Sequence, residues 1–386
     1  MKTRLAVIFG SRACEHDVSI ISGLQALYAA NTQKYDAFPV YISREGTWFV
    51  GDALRKMEFY KKPDWSAVRP VIPAGKRGKL ALVDAQEHKG LFKKSLPDEI
   101  ADVVMPVLHG MNGEDGTLQG MLEMWGVPYT SSGVLGSAVG MDKIAMKQLF
   151  RGCGFPVLDW VGVDRGQWFD EREAILDRVE SVLPYPVFVK PANLGSSIGI
   201  SRADNRQALS DALDVAAAYD RRLLVERGLT KFQEVNCAAL GYAHEVDVSE
   251  TEMPTSWEAF LSFDDKYLRG KGAKGMEALA RKIPAPVAPQ IGARVKELTK
   301  EVFQALDCKG VVRVDFLLDE ESGELYVGEI NTIPGSLAFY LWEPMGRTFD
   351  VLIDEMVRYA QRASQDKQQS IFSYDSSILQ RGTGKA

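Results

Sequence analysis

At 386 residues the chain exceeds one ordinary domain and suits two or three. A hydrophobic content of 46%, charged residues at 25% and a formal net charge of −6 fit a water-soluble globular protein, with no electrostatic reason to expect nucleic acid or an anionic membrane as partner. Four cysteines (Cys14, Cys153, Cys237, Cys308) stand far apart without CxxC spacing, which argues against a zinc site or a disulfide framework, and no stretch approaches the ~20 apolar residues of a spanning helix.

Met1–Gly10 reads as a short strand, without the apolar core or cleavage pattern of a secretory signal, so a reduced cytoplasm is the expected compartment. The apolar run 5–9 ends at Gly10, and a helical pattern over 18–30 leads to a strand at 37–42. Residues 44–96 are rich in Lys, Gly and Pro and weakly periodic. Gly75-Lys76-Arg77-Gly78 marks a turn there between two short strand candidates, and the segment reads as a peripheral insertion. A buried-strand run at 102–108 precedes an amphipathic helix at 115–125, with Leu118, Met121, Leu122 and Trp125 on one face. Strands separated by helices predict an α/β protein whose first domain, 1–141, is built of βαβ units on a mostly parallel sheet.

A second unit, 142–229, holds a helix at 142–150, a strand at 187–189 with a Gly/Ser loop, a helix at 205–218 and a strand at 223–225 running into a hinge. A third, 230–363, has strands at 235–240, 311–318 and 325–330 and a helix at 290–306. The polar segment 364–386 is expected to be a mobile tail.

The strongest chemical signal is Arg313-Val-Asp315 followed by Glu329-Ile-Asn331-Thr-Ile-Pro334-Gly335. Strand alternation puts Arg313 with Asp315, and Glu329 with Asn331, on common faces. Paired strands would gather two carboxylates and an amide as hard oxygen ligands for Mg²⁺, phosphate oxygens completing its shell; charged strand edges at the surface are the plainer alternative. Lys190-Pro191, at the end of a buried strand, precedes Gly195-Ser196-Ser197-Ile-Gly199, a loop that can wrap phosphate oxygens or simply turn. It has neither the Walker order nor the GxGxxG fingerprint. Glu226-Arg227-Gly-Leu229 can offer backbone groups to a purine edge, with Glu234 beyond it for ribose, or be a linker with incidental charges. His109-Gly-Met-Asn-Gly-Glu-Asp-Gly116 follows a strand, as Glu15-His16 does; loops at the carboxyl ends of parallel strands bind ligands, although a lone histidine is more often structural.

In order and spacing, these pieces resemble the D-alanine–D-alanine ligase family of the ATP-grasp superfamily: Glu15-His-Asp-Val-Ser19, His109 to Gly120, Met141-Asp142-Lys143, Lys190-Pro191 with Gly195-Ser196-Ser197, Lys266-Tyr267, Arg313-Val-Asp315 and Glu329-Ile-Asn331-Thr. The resemblance runs from about 5 to 363, interrupted near 44–96. It implies a three-domain ATP-grasp architecture, with two α+β ATP-grasp domains after the first, and ATP-dependent joining of two D-alanines for peptidoglycan precursors through an acyl phosphate. It also implies two Mg²⁺ ions, for which Mn²⁺ can substitute, and a homodimer.

Residue by residue, the resemblance assigns the first D-alanine's ammonium to Glu15, in a network with Ser196 and Tyr267. ATP phosphates fall to Lys143, Lys190 and Lys266, with Ser197 in the loop; adenine falls to Glu226, Arg227 and Leu229, and ribose to Glu234. Asp315, Glu329 and Asn331 take the metals, and Arg313 with the Gly335 backbone takes the oxyanion. His109 lies near the first substrate. The Gly- and Lys-rich segment 263–275 has a lid's composition. The acceptor side departs from the family pattern: Leu341 matches, but Tyr340 stands where a serine is expected, and Ser336 is a candidate to replace it. Lys266-Tyr267 resembles the peptide-forming branch of the family rather than its D-lactate-using branch. The alternatives are an acceptor such as D-serine or D-lactate, another ATP-grasp ligase or biotin-dependent carboxylase, and a nucleotide-binding regulator without turnover.

Overall fold

The computed structural model describes residues 2–85, 98–254 and 281–374, which form three sheets of seven, four and five strands. The first contains β1 (Thr3–Gly10), β2 (Tyr35–Ile42), β3 (Trp48–Val50), β4 (Arg69–Lys76), β5 (Lys79–Asp84), β6 (Glu99–Ala101) and β7 (Val103–Pro106), in the order β6-β5-β4-β3-β2-β1-β7. β1 lies parallel to both β2 and β7. Its Leu5, Ala6, Val7, Ile8 and Phe9 are completely buried, because helices cover both faces, and a strand buried on both sides is a continuous apolar run rather than an alternating one. Helix α1 (His16–Ala29) crosses from β1 to β2; α2 (Met57–Lys61) follows β3, and α3 (Thr117–Trp125) and α4 (Val134–Met141) follow β7.

The expected parallel βαβ centre is thus β2-β1-β7, but the segment 44–96 is not peripheral. It supplies β3, β4 and β5, which with β6 extend the same sheet antiparallel. The predicted turn is a tight hairpin with Arg77 (φ 55°) and Gly78 (φ 75°) at its tip. The two short strand candidates on either side of it are β4 and β5, although Pro70 and Pro73 fall within β4 and proline inside a run argues against a strand.

The second sheet, β10-β9-β11-β8, is antiparallel, built from β8 (Trp160–Asp164), β9 (Val187–Pro191), β10 (Ser201–Ala203) and β11 (Arg222–Arg227). It is accompanied by α5 (Lys143–Gly152), α6 (Arg165–Asp170), α7 (Arg172–Val182) and α8 (Arg206–Tyr219). The Asp142 carboxylate starts α5 by accepting from the amides of Ile144 and Ala145 at 3.0 and 2.9 Å, and Asn205 caps α8 through Ala208 N. Leu209, Ala212, Leu213, Ala216 and Ala217 form the buried stripe of α8 at helical spacing.

The third sheet, β14-β13-β12-β15-β16, is antiparallel too: β12 (Phe232–Tyr242), β13 (Glu245–Pro254), β14 (Arg281–Lys282), β15 (Lys309–Asp319) and β16 (Leu325–Asn331). Helix α9 (Pro289–Ala305) opens with proline at its first position and buries Val295, Leu298, Val302 and Phe303, each contributing about 1.5–3 kcal/mol by transfer. A tight turn, Gly335–Leu341, leads to α10 (Phe349–Gln368).

α10 returns to the first sheet. Leu352, Ile353, Met356 and Val357 share one core with Leu5, Val7 and Phe9 of β1 and with Leu240 and Val311 of the third sheet. The first and last parts of the chain are therefore welded together. The helix continues through 364–368, so the polar tail begins later than composition suggested; Asp366 accepts from the Tyr242 hydroxyl and Lys367 pairs with Glu123. Residues 375–386 lie outside the described residues. No helix among the described residues is long and apolar enough to cross a membrane.

Candidate active site

The β15/β16 register sets Arg313 opposite Asn331 and Asp315 opposite Glu329. Arg313 Nε and Nη2 donate to the two oxygens of Asp315 at 2.6 and 2.7 Å, and Asn331 Nδ2 donates to Asp315 Oδ2 at 2.9 Å. Burial opposes the Arg313 charge, but Asp315 overrides it and holds the guanidinium protonated. Glu329 Oε2 stands 3.5 Å from Lys143 Nζ. Burial would raise the Glu329 carboxyl; Lys143, Lys190 and Arg313 together bring it below its ordinary value.

Lys143, the first residue of α5, donates to Leu194 O at 2.7 Å and so binds the helix to the Gly/Ser loop. Lys190 Nζ donates to Glu226 Oε2 at 2.6 Å, and the other Glu226 oxygen pairs with Lys147. Lys147 and Glu226 are 1% and 3% exposed, so this is an interior ion cluster. Burial alone would raise the Glu226 carboxyl, but the two lysines push it down to about 2. Arg227 ends β11, and Leu229 packs with Leu158 and Tyr326. Glu234 accepts from Asn236 Nδ2 at 3.0 Å; burial first, then the Asp315 charge, pushes it up to about 7.

Glu15 precedes α1, and the Ser196 hydroxyl donates to its Oε1. The backbone closes tightly around this carboxylate. A Cβ on Gly110 would come within 2.6 Å of Glu15 Oε2, and one on Gly195 within 2.9 Å of Oε1, so a side chain at either position would displace the carboxylate, and Gly110 (φ 75°) also has the left-handed backbone that favours glycine. Burial raises the Glu15 carboxyl, against the Ser196 hydrogen bond and Lys143. Glu15, Lys143, Gly195, Glu329 and Asn331 line one cavity, together with Glu114.

His109 is buried and is not among the residues that line that cavity. Its Nδ1 is 2.9 Å from Ile333 O, a group that only accepts, so the proton sits on Nδ1 and Nε2 accepts from the Ser22 hydroxyl at 3.0 Å. Burial pushes the ring down to about 4, which keeps it neutral at neutral pH. Ser22 Oγ in turn accepts from Ser336 N at 3.0 Å. His109 therefore steadies the Asn331–Gly335 turn. In the Gly335–Leu341 turn that follows, Ser336, Leu337 and Ala338 all adopt left-handed backbone (φ 53°, 52° and 50°), a run that costs L-residues about 1–2 kcal/mol each. Leu341 is fully buried in the shared core, whereas the Tyr340 hydroxyl donates to Glu252 Oε1 at 3.2 Å. Ser197 (φ 56°) follows Ser196 in the loop, and Gly335 has open space where a side chain would sit. Lys266, Tyr267 and the segment 263–275 lie outside the described residues.

Sequence reasoning missed Glu114, Lys147, Ser22 and Glu252. Glu114 Oε2 accepts from Gly110 N at 2.8 Å and Oε1 from Ile333 N at 3.0 Å, which ties the His109 loop to the turn; burial and then Glu15 push it up to about 8. For Lys147 a signal existed. Lys143 and Lys147 sit one helical turn apart on one face, an unfavourable pair unless an anion lies near.

A first sheet with a parallel centre, followed by two antiparallel sheets that close a cleft of lysines and carboxylates, places the protein among the ATP-grasp ligases. The N-terminal family described as "D-ala D-ala ligase N-terminus" matches residues 4–132, and that described as "D-ala D-ala ligase C-terminus" matches residues 149–358. A D-alanine–D-alanine ligase of Thermosipho melanesiensis is 36% identical over 382 residues, 99% of each chain. Among solved structures, the D-alanine–D-alanine ligase of Coxiella burnetii aligns with a TM-score of 0.77 at 26% identity, covering 95% of this chain and 96% of that one. The VanG D-Ala:D-Ser ligase of Enterococcus faecalis aligns at 0.75 and 28%, covering 93% and 100%. The chain belongs to the D-alanine–D-alanine ligase family.

Proposed function

We propose that this protein uses ATP to join two D-alanines into D-alanyl-D-alanine for peptidoglycan precursors. The observation that carries the reading is the single cavity in which the Glu15 carboxylate, backed by Ser196, faces Lys143, Glu329 and Asn331. It gathers an anionic seat for an ammonium, a cation for phosphate and oxygen ligands for a metal. D-Serine as acceptor is the second reading, favoured by Tyr340 in place of the family serine and by the likeness to a D-Ala:D-Ser ligase.

A carboxylate is a poor acyl donor, so the first D-alanine's oxygen attacks the γ-phosphorus of ATP and releases ADP, leaving an acyl phosphate. Lys143 and Lys190 neutralise the phosphates. For Lys190 this means leaving Glu226, whose charge Lys147 continues to balance. The acceptor's amine then attacks the acyl carbon, where Arg313 and the Gly335 amide meet the oxyanion; collapse of that intermediate breaks the acyl C–O bond and releases inorganic phosphate and the amine's proton. The donor set fits Mg²⁺. Asp315 and Glu329 face each other across the strand pair, and Asn331, its Nδ2 turned to Asp315, leaves its oxygen as a ligand. Two carboxylates and an amide suit a metal that takes one or two carboxylates and completes its shell with phosphate. When bound, two such ions would neutralise the charge on the transferring group.

The reading extends to domains at 1–141, 142–229 and 230–363, a homodimer and a cytoplasmic setting. ADP release measured with and without D-alanine tests it: release dependent on D-alanine is expected, and release indifferent to it supports a binding protein instead. Arg313→Met is expected to lower kcat by ~10²–10³ while moving the ATP KM little, because its charge matters most to the oxyanion. An effect confined to the ATP KM reassigns Arg313 to the phosphates.

A further inference from the structure

Tyr340 occupies the position where the family pattern has a serine, and its surroundings show what that change does. Its hydroxyl is committed as a donor to Glu252 Oε1, at 3.2 Å, and has no second proton for a substrate carboxylate. Glu252, on β13, is 3% exposed. Its Oε1 also accepts from Asn236 Nδ2 at 3.3 Å, and its Oε2 is buried without a hydrogen bond among the described residues. Among the described residues the cation paired with that oxygen is Arg281, whose Nη1 lies 3.6 Å away. Arg281 sits at β14, paired with Pro254 of β13, and its guanidinium carbon lies 3.9 Å from the centre of the Tyr340 ring.

Two contacts therefore fix this guanidinium: the ring face beneath it and the Glu252 carboxylate beside it. Neither uses up its donors. A guanidinium carries five N–H groups in a planar fork, and one carboxylate oxygen at 3.6 Å leaves most of them without a partner among the described residues; the side chain stays 25% exposed. The left-handed turn at Ser336–Ala338 carries Tyr340 toward β13, and Arg313 feels the charges of both Tyr340 and Glu252. Arg281 and Arg313 thus both act on one tyrosine.

We propose that Arg281, held over the Tyr340 ring and beside Glu252, binds the carboxylate of the acceptor amino acid, the task a serine hydroxyl has in the family pattern. The inference rests on the ligase reading above and names a residue of its acceptor subsite. Tyr340 and Glu252 are positioning residues: one supplies the platform and the other the counter-charge. A carboxylate meets the free fork in two parallel hydrogen bonds, with its amine directed back toward Arg313 and Gly335.

The test uses the full chain with ATP, Mg²⁺ and D-alanine as donor, and compares D-alanine with D-alaninamide as acceptor. D-Alaninamide has the same amine and methyl group but no carboxylate, and it cannot serve as donor. Arg281→Met is expected to raise the acceptor KM for D-alanine at least about tenfold, and to leave that for D-alaninamide and that for ATP within about twofold. Arg281→Lys keeps the charge but not the fork or the stack, and recovers only part of the loss. Glu252→Gln raises the D-alanine acceptor KM less than Arg281→Met and leaves D-alaninamide unmoved. An unchanged D-alanine KM in Arg281→Met overturns the proposal, and so does an equal rise for both acceptors, which marks a merely structural role. A wild-type protein with no D-alanine-dependent ADP release overturns the ligase reading and this inference with it.

Discussion

Glu329→Gln is expected to cut turnover by about 10²–10³ and leave the melting temperature within a few degrees of wild type. A bound divalent ion supplies several kcal/mol of charge stabilisation to phosphoryl transfer, and an amide in place of an anionic ligand forfeits much of it. The fold survives because Glu329 faces the cleft, its side chain 38% exposed, and Lys143 keeps its bond to Leu194 O. Asp315→Asn gives the contrast. It should lose activity comparably but also destabilise the chain by about 3–5 kcal/mol, since it strips a buried guanidinium of its counter-charge. The two variants are separated by measuring kcat at limiting Mg²⁺ alongside thermal melts. Activity within about threefold of wild type removes the residue concerned from the metal site.

The second large effect belongs to stability. Glu226→Ala leaves Lys147 buried without an anion and should cost about 3–5 kcal/mol in urea denaturation at pH 7. The dependence on pH has a definite sign. Folding lowers the Glu226 carboxyl from an ordinary 4.5 to about 2, so between these values the unfolded chain binds more protons. The stabilisation is complete above about pH 4.5 and is lost as pH falls through 2. The gap between wild type and Glu226→Ala should therefore be widest at neutral pH and narrow below pH 4. A gap that stays constant from pH 7 to pH 3 means that Glu226 acts through packing rather than charge.

Much of this site could be read in the sequence because it sits on regular strands. Alternation along β15 and β16 puts Arg313, Asp315, Glu329 and Asn331 on shared faces, and the register confirms the pairing that alternation requires. The helices at 205–218 and 290–306 were legible for a similar reason: each has an apolar stripe and a start signal, Asn205 for one and Pro289 for the other. Other features depend on long-range geometry that periodicity does not encode. Nothing near His109 in the chain shows that its partners are Ile333 and Ser22, 224 and 87 residues away. Glu226 resembled a hinge residue because Lys147 and Lys190, its partners, lie on other elements. The left-handed run at Ser336–Ala338 has no glycine to announce it, and that run decides where Tyr340 points and why Leu341 belongs to the core.

The most direct test identifies the product by mass after incubation of the protein with ATP, Mg²⁺ and a mixture of D-alanine, D-serine and D-lactate at pH 7. D-Alanyl-D-alanine, formed together with one ADP for each peptide bond, is the predicted main product. A product that is mostly D-alanyl-D-lactate or D-alanyl-D-serine contradicts the acceptor assignment, and ATP turnover that yields no D-alanyl product contradicts the ligase account itself.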